Sequence, residues 1–328
     1  MKVLITGLTG FVGSHLADYI LANHPEAEIS TLKRWRSPLD NISHILKKVA
    51  AYDADLNDLS SLIARLKEIK PDVIFHLAAQ SYVTFSYVAP VETLATNVIG
   101  TANLLEAVRI AGIDPMIHIC SSSEVYGQVK PDEVPIKETN PLRPASPYAV
   151  SKVAEDMLGL QYFIAYQLKT VRTRMFTHTG PRRGDVFAES NFAKQIASIE
   201  AGLQEPTVYV GNLDSIRTFT DVRDAVRAYW LLTEKFADGT IPAGEVYNIG
   251  GIETMTVGEM LDKLIGMSKV KGKVKIEVDK ARLRPADVTR QIPSTDKFRA
   301  ATGWQPVIPF QRTLQDLLDY WREKLAPR

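Results

Sequence analysis

The chain opens with a short apolar strand, Lys2 to Thr6, that breaks at a glycine and re-forms at once as a helix. The break is Gly7-Leu-Thr-Gly10-Phe-Val-Gly13, and apolar residues at Phe11, Val12, Leu16, Tyr19 and Ile20 then recur with a helical period. A strand, a glycine turn and a helix in that order leave few folds open. The predicted class is α/β, a doubly wound, mostly parallel Rossmann sheet with a smaller mixed α/β C-terminal substrate domain. The glycines let the backbone turn and approach a pyrophosphate, whose charge a helix N-terminus favours. Gly7, Thr9, Gly10, Phe11, Val12 and Gly13 are therefore candidate dinucleotide contacts. The spacing G-x-x-G-x-x-G departs from the common G-x-G-x-x-G, so a purely structural turn is the competing reading.

The second predicted strand, Glu28 to Leu32, runs into Lys33-Arg34-Trp35-Arg36-Ser37. An NAD enzyme would carry an acid there for the ribose hydroxyls, and none is present. Arg34 and Arg36 can instead pair with a 2′-phosphate, which points to NADP; a solvated basic loop is the alternative. Asp58 is placed to cap a helix striped by Leu59, Leu62, Ile63, Leu66 and Ile69. Asp72 to Ala79 reads as a buried strand whose small end, Leu77-Ala78-Ala79, leaves room for a cofactor, with Gln80 and Ser81 turned toward substrate. His76 within it reads as a satisfied core histidine. A long helix is predicted from about Val91 to Gly112.

The groups that can move a proton concentrate between His118 and Asp156. An apolar strand ends in Ser121-Ser122-Ser123-Glu124, and Ser146-Pro147 then start a helix that sets Tyr148 and Lys152 four apart on one face. A phenol titrates at about 10 and is a poor base at neutral pH, so a nearby cation is needed to favour phenolate. Lys152 is placed to be that cation. Ordinary helix packing is the bland reading of such a pair, and the serine-rich strand end with the glycine turn argues against it.

At 328 residues and 45% hydrophobic content the chain can bury a substantial core. Thirty-nine basic against thirty-eight acidic residues leave a net charge of +1, so no overall field recruits nucleic acid or an anionic membrane. The single cysteine, Cys120, excludes an intrachain disulfide and a multi-cysteine metal site, and reads as an inert core thiol. No metal is expected. The opening apolar run is too short for a signal or membrane segment, and a reducing cytoplasm fits.

GLTGFVGSHLA, LKRWRS, HLAAQS, SSSEVYG, SPYAVSK, GPRRG, VGNL and LRPADV together resemble the extended short-chain dehydrogenase/reductase superfamily over essentially the whole chain. Within it the chain is most similar to enzymes acting on GDP-mannose, the 4,6-dehydratases and their relatives, the GDP-4-keto-6-deoxymannose reductases. The resemblance implies an NADP-binding domain over residues 1–176 with a returning segment at about 218–250. It implies a nucleotide-sugar-binding domain over 177–217 and 251–328. Asp55 and Leu56 would then meet the adenine, and Leu77, Ala78, Ala79 and His178 the cofactor, with Asn97 supporting the active-site backbone. Gln80, Ser81, Thr177, Arg183, Lys194, Val210, Arg217 and Arg284 would meet the substrate, the last two arginines gripping its diphosphate. Where the family has Asn this chain has Thr177. Arg182-Arg183-Gly184 is closer to the dehydratases, whereas Arg217-Thr-Phe-Thr-Asp-Val-Arg223 is closer to the reductases.

The activity implied is a nucleotide-sugar 4,6-dehydration, with GDP-mannose the favoured substrate. Ser122, Ser123, Glu124, Tyr148 and Lys152 would be catalytic, Glu124 taking the C5 proton, and Tyr148 and Lys152 would also meet the cofactor. A reductase, an epimerase and a non-catalytic cofactor-sensing protein are the alternatives. A homodimer or homotetramer is expected, from the helices at Val91 and around Met157, Leu158, Tyr162 and Phe163.

Overall fold

The computed structural model of the protein describes residues 1–326. Its centre is a seven-stranded, all-parallel sheet built from β1 (Lys2–Thr6), β2 (Glu28–Lys33), β3 (Ala50–Asp53), β4 (Val73–His76), β5 (Met116–Ser122), β6 (Thr170–Met175) and a returning strand, Val246–Ile249. The spatial order is β3-β2-β1-β4-β5-β6 and then the returning strand. The order reverses direction between β1 and β4, and in such sheets that switch opens a crevice at the carboxyl ends of the strands.

Alternation along each strand feeds two cores. In β1, Val3 and Ile5 pack with Leu16, Ile20, Val226 and Tyr229, while Leu4 packs on the opposite face with Leu62, Leu66 and Leu104. All of these are buried, and each aliphatic side chain so buried stabilises the fold by about 1.5–3 kcal/mol. The sheet is thereby pinned from both sides.

A smaller unit is assembled from later segments. Ile216–Asp221 pairs antiparallel with Glu253–Thr256 and parallel with Arg290–Gln291 and His178–Thr179. Thr207–Val210 pairs in parallel with Lys275–Val278. Phe192, Ile196, Val208, Val210, Leu261, Leu314 and Leu317 form its core. The last third of the chain also reaches back: Phe298 and Trp304 are buried beside the helices that flank β1.

The helix predicted from Val91 to Gly112 is not a plain α-helix. It runs as α over Pro90–Leu94, widens to a π-turn over Ala95–Ile99 and resumes as α over Gly100–Ala111. Nothing in the apolar period announces that extra residue.

Candidate active site

One cavity of about 710 Å³ runs along the carboxyl ends of the central strands and beneath the smaller unit. At one end lies the glycine turn. Gly7 has φ +74°, and a Cβ there would stand 2.8 Å from the backbone of Ala78; a Cβ at Gly13 would stand 2.4 Å from the Gly7 carbonyl oxygen. The turn and the end of β4 therefore close on each other only because these residues lack side chains. Gly10 precedes the helix Phe11–Asn23 without any side-chain cap, so its first N–H groups are left for an anion.

Around this end stand Thr9, Phe11, Val12, Arg34, Asp55, Leu56, Leu77, Ala78 and Ala79. The set suits a dinucleotide: small residues under the turn, amides facing its mouth, and a guanidinium where β2 ends. His178 also lines the cavity, with Nδ1 3.0 Å from the Phe176 carbonyl and a buried Nε2 that has no partner among the described residues. Burial, with Arg183 beside it, pushes His178 down to about 4, so its ring is neutral.

Strand β5 delivers Ser122, Ser123 and Glu124 to the middle of the cavity, and the helix Pro147–Tyr166 brings Tyr148 and Lys152 to face them. Ser146 caps that helix, its Oγ accepting from the Ala149 N–H at 3.0 Å. Tyr148 and Lys152 are both buried. Burial raises the Tyr148 phenol above its ordinary value; Lys152 and a hydrogen bond from Ser122 pull against that without reversing it. The Lys152 ammonium donates to the Cys120 carbonyl oxygen at 2.7 Å and to Glu155 Oε2 at 2.7 Å. Cys120 itself lines the cavity, burial raises its thiol, and its Sγ lies 3.2 Å from the Tyr229 hydroxyl.

Asn97 sits in the π-turn and clamps Gln80 from both sides. The Gln80 N–H donates to Asn97 Oδ1 at 2.8 Å, and Asn97 Nδ2 donates to the Gln80 carbonyl at 3.0 Å and to Ser151 Oγ at 2.8 Å. The loop after β4 is thus tied to the helix that bears Tyr148. His76 is buried between Thr6 and Thr101, at 2.8 and 2.9 Å, as a satisfied core histidine.

Arg217, Arg284, Arg183, Thr177, Gln80 and Ser81 also line the cavity. The Arg183 guanidinium lies 3.6 Å from the Phe187 ring centre and 5.1 Å from that of Phe11, which fixes its plane. Arg217 and Arg284 approach Asp287 only loosely, at 3.7 and 3.9 Å, so both keep donors for a phosphate.

Three residues singled out from sequence stand outside the lining. Arg36 lies over the exposed Trp35 ring, 4.4 Å from its centre. Lys194 pairs with Asp185 at 2.6 Å. Val210 is fully buried in the second core, because the alternation of its strand turns Tyr209 outward and Val210 in.

Three further lining residues were not among the candidates read from sequence. Gln291 is buried, and its Nε2 donates to Glu124 Oε1 at 2.8 Å. Glu189 is a buried carboxylate in the cavity wall, near enough to Arg183 and Arg217 to act on both. Asp287 joins the arginines and accepts from Asn212 at 2.7 Å and Ser215 at 3.0 Å. Asp287 lies inside the LRPADV motif, three residues after Arg284, whereas Gln291 and Glu189 belong to none of the motifs and are placed by tertiary folding.

Residues 4–317 match the family model described as GDP-mannose 4,6 dehydratase. Among curated relatives, the GDP-6-deoxy-D-mannose reductase of Pseudomonas aeruginosa is 34% identical over 99% of this chain and 98% of its own length. The GDP-mannose 4,6-dehydratase of Yersinia enterocolitica is 32% identical over 97% of this chain and 92% of its own. A solved structure described as RMD from Pseudomonas aeruginosa complexed with NADPH superposes with a TM-score of 0.83 at 32% identity, covering 99% of each chain.

Proposed function

Because the chain belongs to the GDP-mannose 4,6-dehydratase family, we propose that it is an NADP-dependent nucleotide-sugar 4,6-dehydratase that converts GDP-mannose to GDP-4-keto-6-deoxymannose. The observation that carries this reading is a carboxylate, Glu124, in the same cavity as Ser122, Tyr148 and Lys152. Bound NADP would take a hydride from the sugar C4 and return it at C6. The chain's own groups handle the protons. Tyr148 takes the proton of the C4 hydroxyl, Lys152 holds positive charge beside it, and Ser122 hydrogen-bonds the C4 oxygen, with Ser123 adjacent. The ketone formed at C4 acidifies the C5 hydrogen. Glu124 removes that proton and passes it to the C6 hydroxyl, which leaves as water; as the hydride returns at C6, a proton from solvent reaches C5, and Tyr148 gives its proton back to solvent.

In this reading residues 1–176 and about 218–250 hold NADP, with Arg34 toward the 2′-phosphate, and residues 177–217 and 251–328 hold the nucleotide sugar. Arg217 and Arg284 grip its diphosphate. Exposed Val150, Met157 and Ile164 repeat every seven residues along the helix Pro147–Tyr166, and Val91 and Ile99 are exposed on the neighbouring helical run. Such a seam suits a homodimer built through paired helices.

A second reading, a GDP-4-keto-6-deoxymannose reductase, is favoured by the hydrogen bond from Gln291 that already occupies Glu124. One experiment separates the two. The protein is incubated with GDP-mannose and NADP in deuterated water, and products are weighed by mass spectrometry. Dehydration gives loss of water with deuterium at C5, and Glu124→Gln abolishes both while cofactor binding stays. A wild type that leaves GDP-mannose untouched but consumes NADPH with the 4-keto sugar is a reductase.

A further inference from the structure

Glu155 has no part in the chemistry above, yet it is 1% exposed and lies one helical turn beyond Lys152. Its Oε2 accepts from the Lys152 ammonium at 2.7 Å, and its Oε1 is buried without a partner among the described residues. An ammonium has three N–H donors. Two are spent, on the Cys120 carbonyl and on Glu155, and the tetrahedral geometry leaves the third for the cavity that Lys152 lines.

We propose that Glu155 is a positioning residue acting through Lys152: it fixes the direction of the ammonium and tempers the positive charge that Tyr148 experiences. This rests on the reading of Tyr148 and Lys152 as the proton-handling pair. A formal anion behind the lysine opposes the effect the lysine has on the phenol, so an ionised Glu155 raises the Tyr148 phenol and a neutral one lowers it.

The surroundings set that charge. Burial pushes the Glu155 carboxyl up to about 7 against the pull of Lys152, with Asp156 pushing the same way. Burial would lower Lys152, but Glu155, Tyr148 and Cys120 hold it above the ordinary lysine range. On the same helix Glu155 thus meets Tyr148, Lys152 and Asp156. The Asp156 charge is already matched, its oxygens accepting from Arg172 at 2.6 Å and Arg174 at 2.7 Å on β6. From β5 and β4 come Cys120, whose thiol burial keeps protonated, and His118 and His76, both driven down to about 3 by burial and therefore neutral. Among the described residues, Glu155 is the one carboxylate that touches the lysine.

The test is a tyrosinate difference titration on the full-length protein, each protein being compared with its own Tyr148→Phe version so that only the Tyr148 phenol is read. Glu155→Gln keeps the shape and an acceptor for Lys152 but removes the charge; its Tyr148 midpoint should fall by about one pH unit, the low end of what a nearby charge does. An unchanged or higher midpoint would overturn the proposal. Should Glu155→Gln fail to fold, the unmutated protein supplies the decision. The side-chain nitrogen resonance of Lys152, assigned with Lys152→Arg, should step as Glu155 titrates near pH 7, and a flat trace there overturns the proposal equally. Both measurements read protonation rather than turnover, so an active Tyr148→Phe enzyme would defeat the functional reading and leave this result standing.

Discussion

The two ends of the cavity are made differently. The end proposed for the cofactor is a backbone construction, in which Gly7 and Gly13 let the turn close on the end of β4 and bare amides face the opening. The end proposed for the sugar is a side-chain construction, in which Arg217, Arg284, Glu189 and Gln291 come from segments far apart in the chain. A backbone site fails as a whole when its geometry is disturbed. A side-chain site loses affinity group by group, which makes it the place where substrate choice can change without loss of the fold.

The sharpest way to break this contrast is Gly13→Ala. The new methyl would meet the Gly7 carbonyl at 2.4 Å, backbone that cannot yield as a side chain tip would. Calorimetry should find NADP binding gone and the melting temperature lowered, since forced overpacking costs about 1–3 kcal/mol; a variant that binds NADP normally would show that the turn is not built as argued. At the other end, Arg217→Lys keeps the charge but loses the planar fork. A charged hydrogen bond contributes about 1.5–3 kcal/mol, so KM for the nucleotide sugar should rise roughly ten- to a hundredfold while NADP affinity stays. A loss of NADP binding in this variant would mean that the two ends are not separable.

Stability against pH should also betray the cofactor end. His15 and His178 are pushed down to about 4, and His76 and His118 to about 3, in each case chiefly by burial. An unfolded chain would bind protons on all four below about 6.5, whereas the folded one does not. Depressed folded values mean that this stability is present above the unfolded pKa and is lost as pH falls. Glu155, raised to about 7, works in the opposite direction with one proton, leaving about two more protons on the unfolded chain near pH 6. The melting temperature should therefore fall steadily from pH 6.5 to pH 4.5. A flat profile would mean that the histidines are not buried neutral.

The smallest expected effects lie in one loop. Arg34 lines the cavity and Arg36 lies over Trp35 outside it. Arg34→Ala should reduce the preference for NADP over NAD about tenfold, and Arg36→Ala should leave it within about twofold. Equal effects would return the loop to a solvated basic surface.

How much of this was readable beforehand follows from the same contrast. The strand–turn–helix at the N-terminus, the Ser146 cap and the Tyr148–Lys152 pair are local, set by glycine stereochemistry and helical period, and all are where the spacing put them. The parallel, doubly wound sheet agrees with the class read from that opening unit. Val210 was misplaced because a motif carried it to the cavity, although the two-residue alternation of its own strand turns it into the core. Lys194 and Arg36 have the right charge, but Asp185 and Trp35 engage them elsewhere. Gln291 and Glu189 were invisible because nothing local distinguishes a glutamine or a glutamate that will be buried beside a remote arginine or carboxylate. Glu155 carries no signal in the sequence; its meaning lies in its burial, which no spacing reveals.

The π-turn at Ala95–Ile99 has a consequence for how such a chain can change. A single surplus residue is stored there, and it is what turns Asn97 toward Gln80 and Ser151. Deleting one residue from this segment would close the turn to plain α-helix, and because the wide turn absorbs that residue locally, the buried face of Leu104, Leu105 and Val108 would keep its groove. What would be lost is the clamp, since Asn97 would no longer be turned toward the Gln80 backbone and Ser151. Such a deletion is therefore tolerated by the core and felt at the loop after β4.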